Sequence, residues 1–135
     1  MNQGQASDRE QIVDLLSRLA QATDQGSLEE YAACFTEDAS LNLPGGEPVK
    51  GLDKLLASSK ARRASGGVGP GSRTRHFIST TSVQVGDGTA SSVSYVIFYG
   101  IEATGPVPKA FLVYNDRFRR TGTEWRLCER RIMQA

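Results

Sequence analysis

Cysteine, histidine, tryptophan and long apolar stretches are all scarce in this chain of 135 residues. It has 2 cysteines, 1 histidine and 1 tryptophan, and Cys34 and Cys128 lack the paired spacing of a zinc site. This favours two reduced, mostly buried thiols, with a single disulfide as the alternative. The longest apolar runs, such as residues 95–99, are much too short to span a bilayer. We therefore expect no metal site and no membrane partner.

The chain also lacks an excess of charge of either sign. The 16 Lys and Arg residues nearly balance the 15 Asp and Glu residues, so nothing global attracts the chain to nucleic acid or to an anionic membrane. The arginines of the second half alternate along predicted strands. Surfaces that bind nucleic acid interleave such charges with aromatic residues, and this chain does not show that pattern. The first residues have neither a basic start nor an apolar stretch, which predicts no secretory signal and a cytoplasmic location.

Three helices are predicted in the first half of the chain. Residues 7–10 and 27–30 each have the spacing of a capping box, in which a serine and a glutamate cap a helix start reciprocally. Gly26 is predicted to end the first helix in the left-handed conformation that glycine adopts at little cost. A third helix is predicted over residues 52–63, where leucines recur at helical spacing.

The second half is rich in β-branched residues and turn signals. Strands are predicted at residues 74–85, 89–101, 109–120 and 124–133, with hairpin turns at 86–88 and 121–123 and a break at 104–108. A brief strand is predicted at 39–43, and the glycine-rich segment 65–71 is predicted to be a flexible loop and a candidate lid. Helices followed by a strand meander indicate an α+β fold in one domain over residues 1–135, with residues 1–6 disordered.

Asp24 is the first candidate for chemistry. Val13, Leu16 and Ala20 step by three and four residues along one helical face, and Asp24 is the next member of that series. Its carboxylate would therefore point inward at the helix end, where a negative charge opposes the helix macrodipole. The alternative is a solvated residue in an Asx-type bend.

Other candidates lie on the predicted strands. His76 is the only histidine, and histidine is the usual proton carrier near neutral pH, although a structural histidine is the alternative. Tyr114, Asp116 and Phe118 alternate along one strand face that begins apolar and ends polar. They either line a pocket with its mouth near Asp116, or form a core tyrosine followed by a solvated aspartate that pairs with an arginine.

Several segments resemble the SnoaL-like family of the NTF2-like superfamily. In chain order they are residues 23–31, 34–39, 74–77, 114–120 and 124–127. The resemblance covers about Arg9 to Arg131 and implies a cone-shaped fold, in which three N-terminal helices pack on a curved, mostly antiparallel sheet around a pocket. In the branch that contains scytalone dehydratase and hexachlorocyclohexane dehydrochlorinase, an aspartate ending the first helix pairs with a strand histidine. Those two positions match Asp24 and His76.

The resemblance implies an acid–base pair in a dry pocket. Asp24 would accept a hydrogen bond from one imidazole nitrogen and leave the other nitrogen as a general base. Tyr95, Tyr99 or Tyr114 would donate a hydrogen bond to a developing oxyanion. The predicted pocket lining is Leu16, Tyr31, Phe35, Leu43, Tyr95, Tyr99, Leu112, Tyr114 and Asp116.

The chain also departs from that branch. It has no second histidine, Thr23 stands where scytalone dehydratase has a tyrosine, and the arginine of the dehydrochlorinase has no secure counterpart. The prediction is therefore a lyase, isomerase or cyclase that needs no cofactor or metal and acts on an apolar, aromatic or polyketide-like small molecule. The alternatives are a non-catalytic binding module and a structural subunit like the small subunit of ring-hydroxylating dioxygenases.

Apolar residues on both faces of one predicted strand indicate self-association. Val93, Tyr95 and Ile97 fall on one face, whereas Val96 and Phe98 fall on the other. A sheet with one face in water should instead alternate apolar and polar residues. One face would cover the pocket, so the other is predicted to be the interface of a homodimer or homotrimer.

Overall fold

The computed structural model describes residues 7–135 and has the predicted α+β order. The elements are α1 (Asp8–Gln25), α2 (Leu28–Ala32), β1 (Phe35–Asn42), β2 (Val49–Lys50), α3 (Leu52–Ala64), β3 (Thr74–Val85), β4 (Thr89–Glu102), β5 (Gly105–Thr121) and β6 (Glu124–Gln134). One six-stranded sheet has the order β2-β1-β6-β5-β4-β3. All neighbouring pairs are antiparallel except β1 and β6. The predicted disorder of residues 1–6 lies outside the described residues.

The end of α1 differs from its prediction. Gly26 has φ −86° and ψ 172°, so it is extended and the left-handed cap is wrong. A glycine fits here because a Cβ would lie 2.7 Å from the Cα of Ala22. Arg63 of α3 donates from Nη1 to the carbonyl of Gly26 at 2.7 Å and from Nη2 to the carbonyl of Ala22 at 2.9 Å. Since α1 has no basic residue in its last turn, α3 supplies the cation that this helix end favours.

Strand β5 begins at Gly105, so the predicted break over 104–108 is also wrong. Pro106 and Pro108 pair with β4, opposite Ile101 and Tyr99, and a register shift falls just before Tyr99. The pairing of β5 with β6 reaches only to Leu112. The start of β5 therefore has an open edge, where a proline removes no ladder hydrogen bond.

The two faces of the sheet carry different residues, as the strand registers place them. One row across the inner face is His76, Phe98 and Ala110, and the next is Ile78, Val96 and Leu112. The outer face carries Phe77, Val93, Tyr95, Phe111 and Met133, whose exposed fractions run from 39% to 61%. The rings of Tyr95 and Phe111 meet there with centroids 6.1 Å apart. The predicted second apolar face is thus present, and none of residues 7–135 covers it.

The core lies between the helices and the inner face of the sheet. It includes the fully buried Ile12, Leu15, Leu16, Leu19, Leu55, Phe118 and Leu127. Cys34 is buried and Cys128 is partly buried, and both are free thiols, as predicted. Within residues 7–135, no helix combines the length and apolar character that crossing a membrane requires.

Replacing Arg63 with methionine is expected to lower the free energy of unfolding by about 1–2 kcal/mol, because two carbonyls at the end of α1 lose a charged donor. Urea unfolding measures the change. Lys60→Met removes an exposed cation from the same helix and is expected to cost less than about 0.5 kcal/mol. Equal losses in the two variants would contradict the role of Arg63 at this helix end.

Candidate active site

A cavity of about 580 Å³ lies between the helices and the inner face of the sheet. That volume is typical of small-molecule sites. Its apolar lining includes Phe35, Leu41, Leu43, Val68, Ile78, Phe98, Ala110, Leu112 and Ile132. Its polar lining includes Thr23, Tyr31, Arg62, Ser65, Thr74, His76, Tyr114, Arg130 and Gln134. Polar residues are thus numerous in the wall, but most of the surface that it presents to the cavity is apolar.

Asp24 and His76 meet at the edge of this cavity. The Nδ1 atom of His76 lies 2.7 Å from Oδ1 of Asp24. The backbone N–H of His76 also donates to this carboxylate, at 3.0 Å and 3.2 Å from its two oxygens. Asp24 is 5% exposed and His76 lines the cavity in front of it. The predicted contact is present, and the burial of Asp24 makes the alternative of a solvated aspartate wrong, whereas a structural role for His76 stays the alternative to a catalytic one.

The end of α1 is held from several sides, so the carboxylate of Asp24 is fixed. The backbone N–H of Gly69 donates to the carbonyl of Thr23 at 3.1 Å. The side chain of Gln25 donates to the carbonyl of Asp24 at 2.7 Å. The glycine-rich segment 65–71 therefore docks on this helix end, and its Val68 is buried and lines the cavity. Its role as a lid stays a prediction.

The contact with Asp24 favours one tautomer of the neutral His76 ring. An ionised carboxylate only accepts, so Nδ1 carries the proton and donates to Asp24. In that neutral tautomer Nε2 is an acceptor, and no hydrogen bond joins it to another side chain among residues 7–135. The ring also packs on Phe98, with centroids 4.7 Å apart. This arrangement leaves one basic nitrogen for a molecule in the cavity.

A second polar group forms the opposite part of the wall. Arg130 of β6 stands directly across from Asp116 of β5 and donates to its two carboxylate oxygens at 2.8 Å and 2.9 Å. The guanidinium lies 4.2 Å from the ring centroid of Tyr114. Burial lowers the pKa of Arg130, but the charge and hydrogen bonds of Asp116 outweigh it and raise that pKa above its usual range. Arg130 is therefore a permanent cation facing the cavity.

Two tyrosines supply hydroxyl groups to the same cavity. Burial raises the pKa of Tyr31 and of Tyr114 above 10, so both phenols stay protonated at neutral pH. The guanidinium of Arg62 interacts with the phenol of Tyr31 and offsets part of that rise. The Tyr31 ring packs against Phe35 at 4.9 Å. Each phenol is therefore a hydrogen-bond donor at the cavity wall.

The structure brings together only part of the predicted lining. Tyr31, Phe35, Leu43, Leu112 and Tyr114 line the cavity. The other predicted members are outside its lining and are Leu16, Tyr95, Tyr99 and Asp116.

Each of these four has a physical reason for its position. Leu16 is 2% exposed in the closed core, one helical turn before Ala20. Tyr95 and Tyr99 fall on the outer side because strand residues alternate, and Tyr95 is 47% exposed. Asp116 is 2% exposed and bound by Arg130, so it is neither at a pocket mouth nor solvated.

The sequence patterns did not predict that Arg62 and Arg130 line the cavity. The pairing of Asp116 with an arginine was one of the alternatives, but the choice among eight arginines of the second half depends on strand register. Arg62 lies in the last turn of a helix with a weak apolar stripe, so its direction is not readable from spacing. Cross-strand neighbours of Tyr114 and Asp116 were the available signal for Arg130.

Comparison with known families decides the classification. Residues 4–131 match the family described as "SnoaL-like domain". The chain belongs to the SnoaL-like family. No curated protein sequence matches this SnoaL-like chain.

Solved structures show the same NTF2-like, cystatin-like fold for this SnoaL-like protein. An NTF2-like protein from Novosphingobium aromaticivorans is 24% identical, with a TM-score of 0.81 over 94% of this chain and 81% of that one. ActVI-ORFA from Streptomyces coelicolor is 19% identical, with a TM-score of 0.80 over 95% and 98%. A protein from Catenulispora acidiphila in complex with S-DNPA is 18% identical, with a TM-score of 0.80 over 96% and 95%.

Replacing Arg130 with methionine is expected to lower the free energy of unfolding by about 3 kcal/mol, because Asp116 is left as an unpaired buried charge. The double variant Asp116→Leu with Arg130→Met is expected to recover at least about 1 kcal/mol of that loss. Denaturant unfolding of both single variants and the double variant gives the coupling. Strictly additive losses would contradict a coupled buried pair.

Proposed function

We propose that this SnoaL-like protein is a small, cofactor-free enzyme that moves protons on an apolar small molecule. The observation that carries the proposal is the hydrogen bond of 2.7 Å between Asp24 and Nδ1 of His76 at the edge of an apolar cavity. The reaction class is that of a lyase, isomerase or cyclase. In each, a base removes a proton from carbon or from a hydroxyl group beside a conjugated system.

In the first step Nε2 of His76 takes the proton of an activated C–H bond. The electron pair of that bond moves into the conjugated system and places negative charge on a carbonyl oxygen. Asp24 stabilises the resulting imidazolium through Nδ1–H and keeps the ring in one orientation. The phenols of Tyr31 and Tyr114 are the donors that the cavity offers to the oxyanion.

In the second step the proton on Nε2 returns to the substrate. Delivery to another carbon completes an isomerisation, and delivery to a departing hydroxyl oxygen completes a dehydration. Attack of the carbanion on a second carbonyl, followed by protonation of the new alkoxide, completes a cyclisation. The apolar wall favours all three, because a site with little water strengthens these electrostatic contacts.

Family membership and a structural neighbour in complex with S-DNPA support a binding cavity for an organic molecule. A binding module without chemistry is the competing function, since the fold hosts sites of many kinds. The sequestered carboxylate supports the enzyme over the binding module. A carboxylate buried behind a histidine is costly for a protein that only binds an apolar molecule, whereas a general base needs it.

We also propose that a second copy of the chain covers the outer face of the sheet. Phe77, Tyr95 and Phe111 are between 47% and 61% exposed there, and the registers place Ile97 and Val113 between them. A contiguous apolar patch of this kind marks an interface. A homodimer or homotrimer would leave the cavity, on the opposite face, open to its substrate.

Ring opening of 5-nitrobenzisoxazole tests whether His76 acts as a general base. This apolar probe reacts by loss of one carbon-bound proton and needs no cofactor. His76→Gln is expected to reduce the rate about 10²–10⁴-fold, since the base is removed. Asp24→Asn is expected to reduce it at least about tenfold, because the ring loses its orienting carboxylate. Absorbance of the released phenolate measures each rate.

Asp53→Asn is the matched control, since it removes an exposed carboxylate at the start of α3 and is expected to keep the rate unchanged. A wild-type rate no higher than that of His76→Gln would contradict the enzyme and favour the binding module. Circular dichroism confirms that each variant is folded before its rate is compared.

Light scattering tests whether the outer face of the sheet is an interface between copies of the chain. The wild type is expected at two or three times the chain mass of 14.6 kDa. Phe111→Asp is expected to give a monomer, because it buries an unpaired charge in the proposed interface. Val85→Asp, at the far end of β3, is the control and is expected to keep the oligomer. A monomeric wild type at micromolar concentration would contradict the interface.

A further inference from the structure

The cavity wall carries positive charge but no negative charge among the described residues. Its charged lining side chains are Arg62 and Arg130, and within the described part of the chain no aspartate or glutamate lines it. The two nearby carboxylates are both hidden. Asp24 lies behind His76 and Asp116 lies behind Arg130, each hydrogen-bonded to the residue in front of it. A molecule in the cavity therefore meets guanidinium groups and neutral side chains, but no carboxylate oxygen.

The two arginines differ in how far they are already neutralised. Arg130 is bound by both carboxylate oxygens of Asp116. Arg62, in contrast, has no carboxylate within 4.0 Å among residues 7–135. Its Nη1 donates to the hydroxyl of Ser58 at 2.6 Å, and the guanidinium also interacts with the phenol of Tyr31. Since a guanidinium has five N–H donors, several remain for a ligand.

Arg62 also stands at the right depth for a charged group. It is partly exposed, and the neighbouring lining residues Ser65 and Gly67 are exposed, whereas Tyr31 is 4% exposed. Arg62 thus marks the rim, between solvent and the buried wall. An anion held there keeps part of its hydration, so binding avoids the full cost of burying a charge.

We infer that the cavity takes an apolar small molecule bearing one carboxylate, which Arg62 binds at the rim while the apolar body extends inward past His76. This inference names a substrate class and rests on the proposed function. A guanidinium matches a carboxylate in a two-pronged, charge-assisted geometry. The anchored carboxylate would also orient the apolar body, so that one carbon faces Nε2 of His76.

Matched pairs of an aromatic acid and its amide test the inference by calorimetric titration at about pH 8, where the acids are ionised. The pairs are benzoate with benzamide, 2-naphthoate with 2-naphthamide, and 9-anthracenecarboxylate with its amide. In the wild type at least one acid is expected to bind about tenfold more tightly than its amide. Arg62→Met is expected to reduce that preference to less than about twofold.

Lys60→Met is the matched control, because it removes an equal charge from the exposed side of the same helix and is expected to keep the preference. His76→Gln is also expected to keep it, so the result does not depend on catalysis. A crystal structure of the wild type with the best-binding acid is expected to show its carboxylate against Arg62, whatever the stability of the variant.

The inference would be overturned by equal affinities of acid and amide, by a preference that survives Arg62→Met, or by no acid binding at millimolar concentration. Loss of the preference in Lys60→Met as well would assign it to the general field of the protein and also overturn it. If the protein binds an acid more tightly than its amide but does not catalyse ring opening of 5-nitrobenzisoxazole, the proposed catalytic function is contradicted. The inference that Arg62 binds a carboxylate then still stands.

Discussion

The hydrogen bonds between the carboxylate of Asp24 and His76 are the contact on which the site depends. They join the end of α1 to the start of β3 across 52 residues of sequence, through both the backbone N–H and Nδ1 of one histidine. One carboxylate thereby positions a strand, orients an imidazole ring and selects its tautomer. The helix end that bears it is supported in turn by Arg63 and by the docked segment 65–71.

The same arrangement is used twice along the cavity wall. A buried carboxylate stands behind a side chain that both binds it and faces the cavity, His76 in front of Asp24 and Arg130 in front of Asp116. Each pair satisfies a charge that burial alone would make costly. Among residues 7–135, the wall therefore presents an imidazole nitrogen, two guanidinium groups and phenol hydroxyls to a ligand, but no carboxylate oxygen.

Local patterns predicted much of this molecule, because the signals involved are local. Capping residues and leucine spacing placed the helices, and alternation placed Phe98 and Tyr95 on opposite faces of β4. The errors arose where a distant part of the chain intervenes. Gly26 is extended where Arg63 of α3 binds its carbonyl, and the start of β5 tolerates prolines because β6 ends before reaching it.

The sequence by itself determined the α+β order, the inward phase of Asp24 and, through family resemblance, its pairing with His76. These follow from helical and strand periods and from motifs a few residues long. Only the tertiary structure decided that Asp116 is buried against Arg130, which face of β4 lines the cavity and so leaves Tyr95 and Tyr99 outside it, and that Arg62 reaches its rim. Strand register and helix rotation set these positions, and both depend on contacts between residues far apart in the chain.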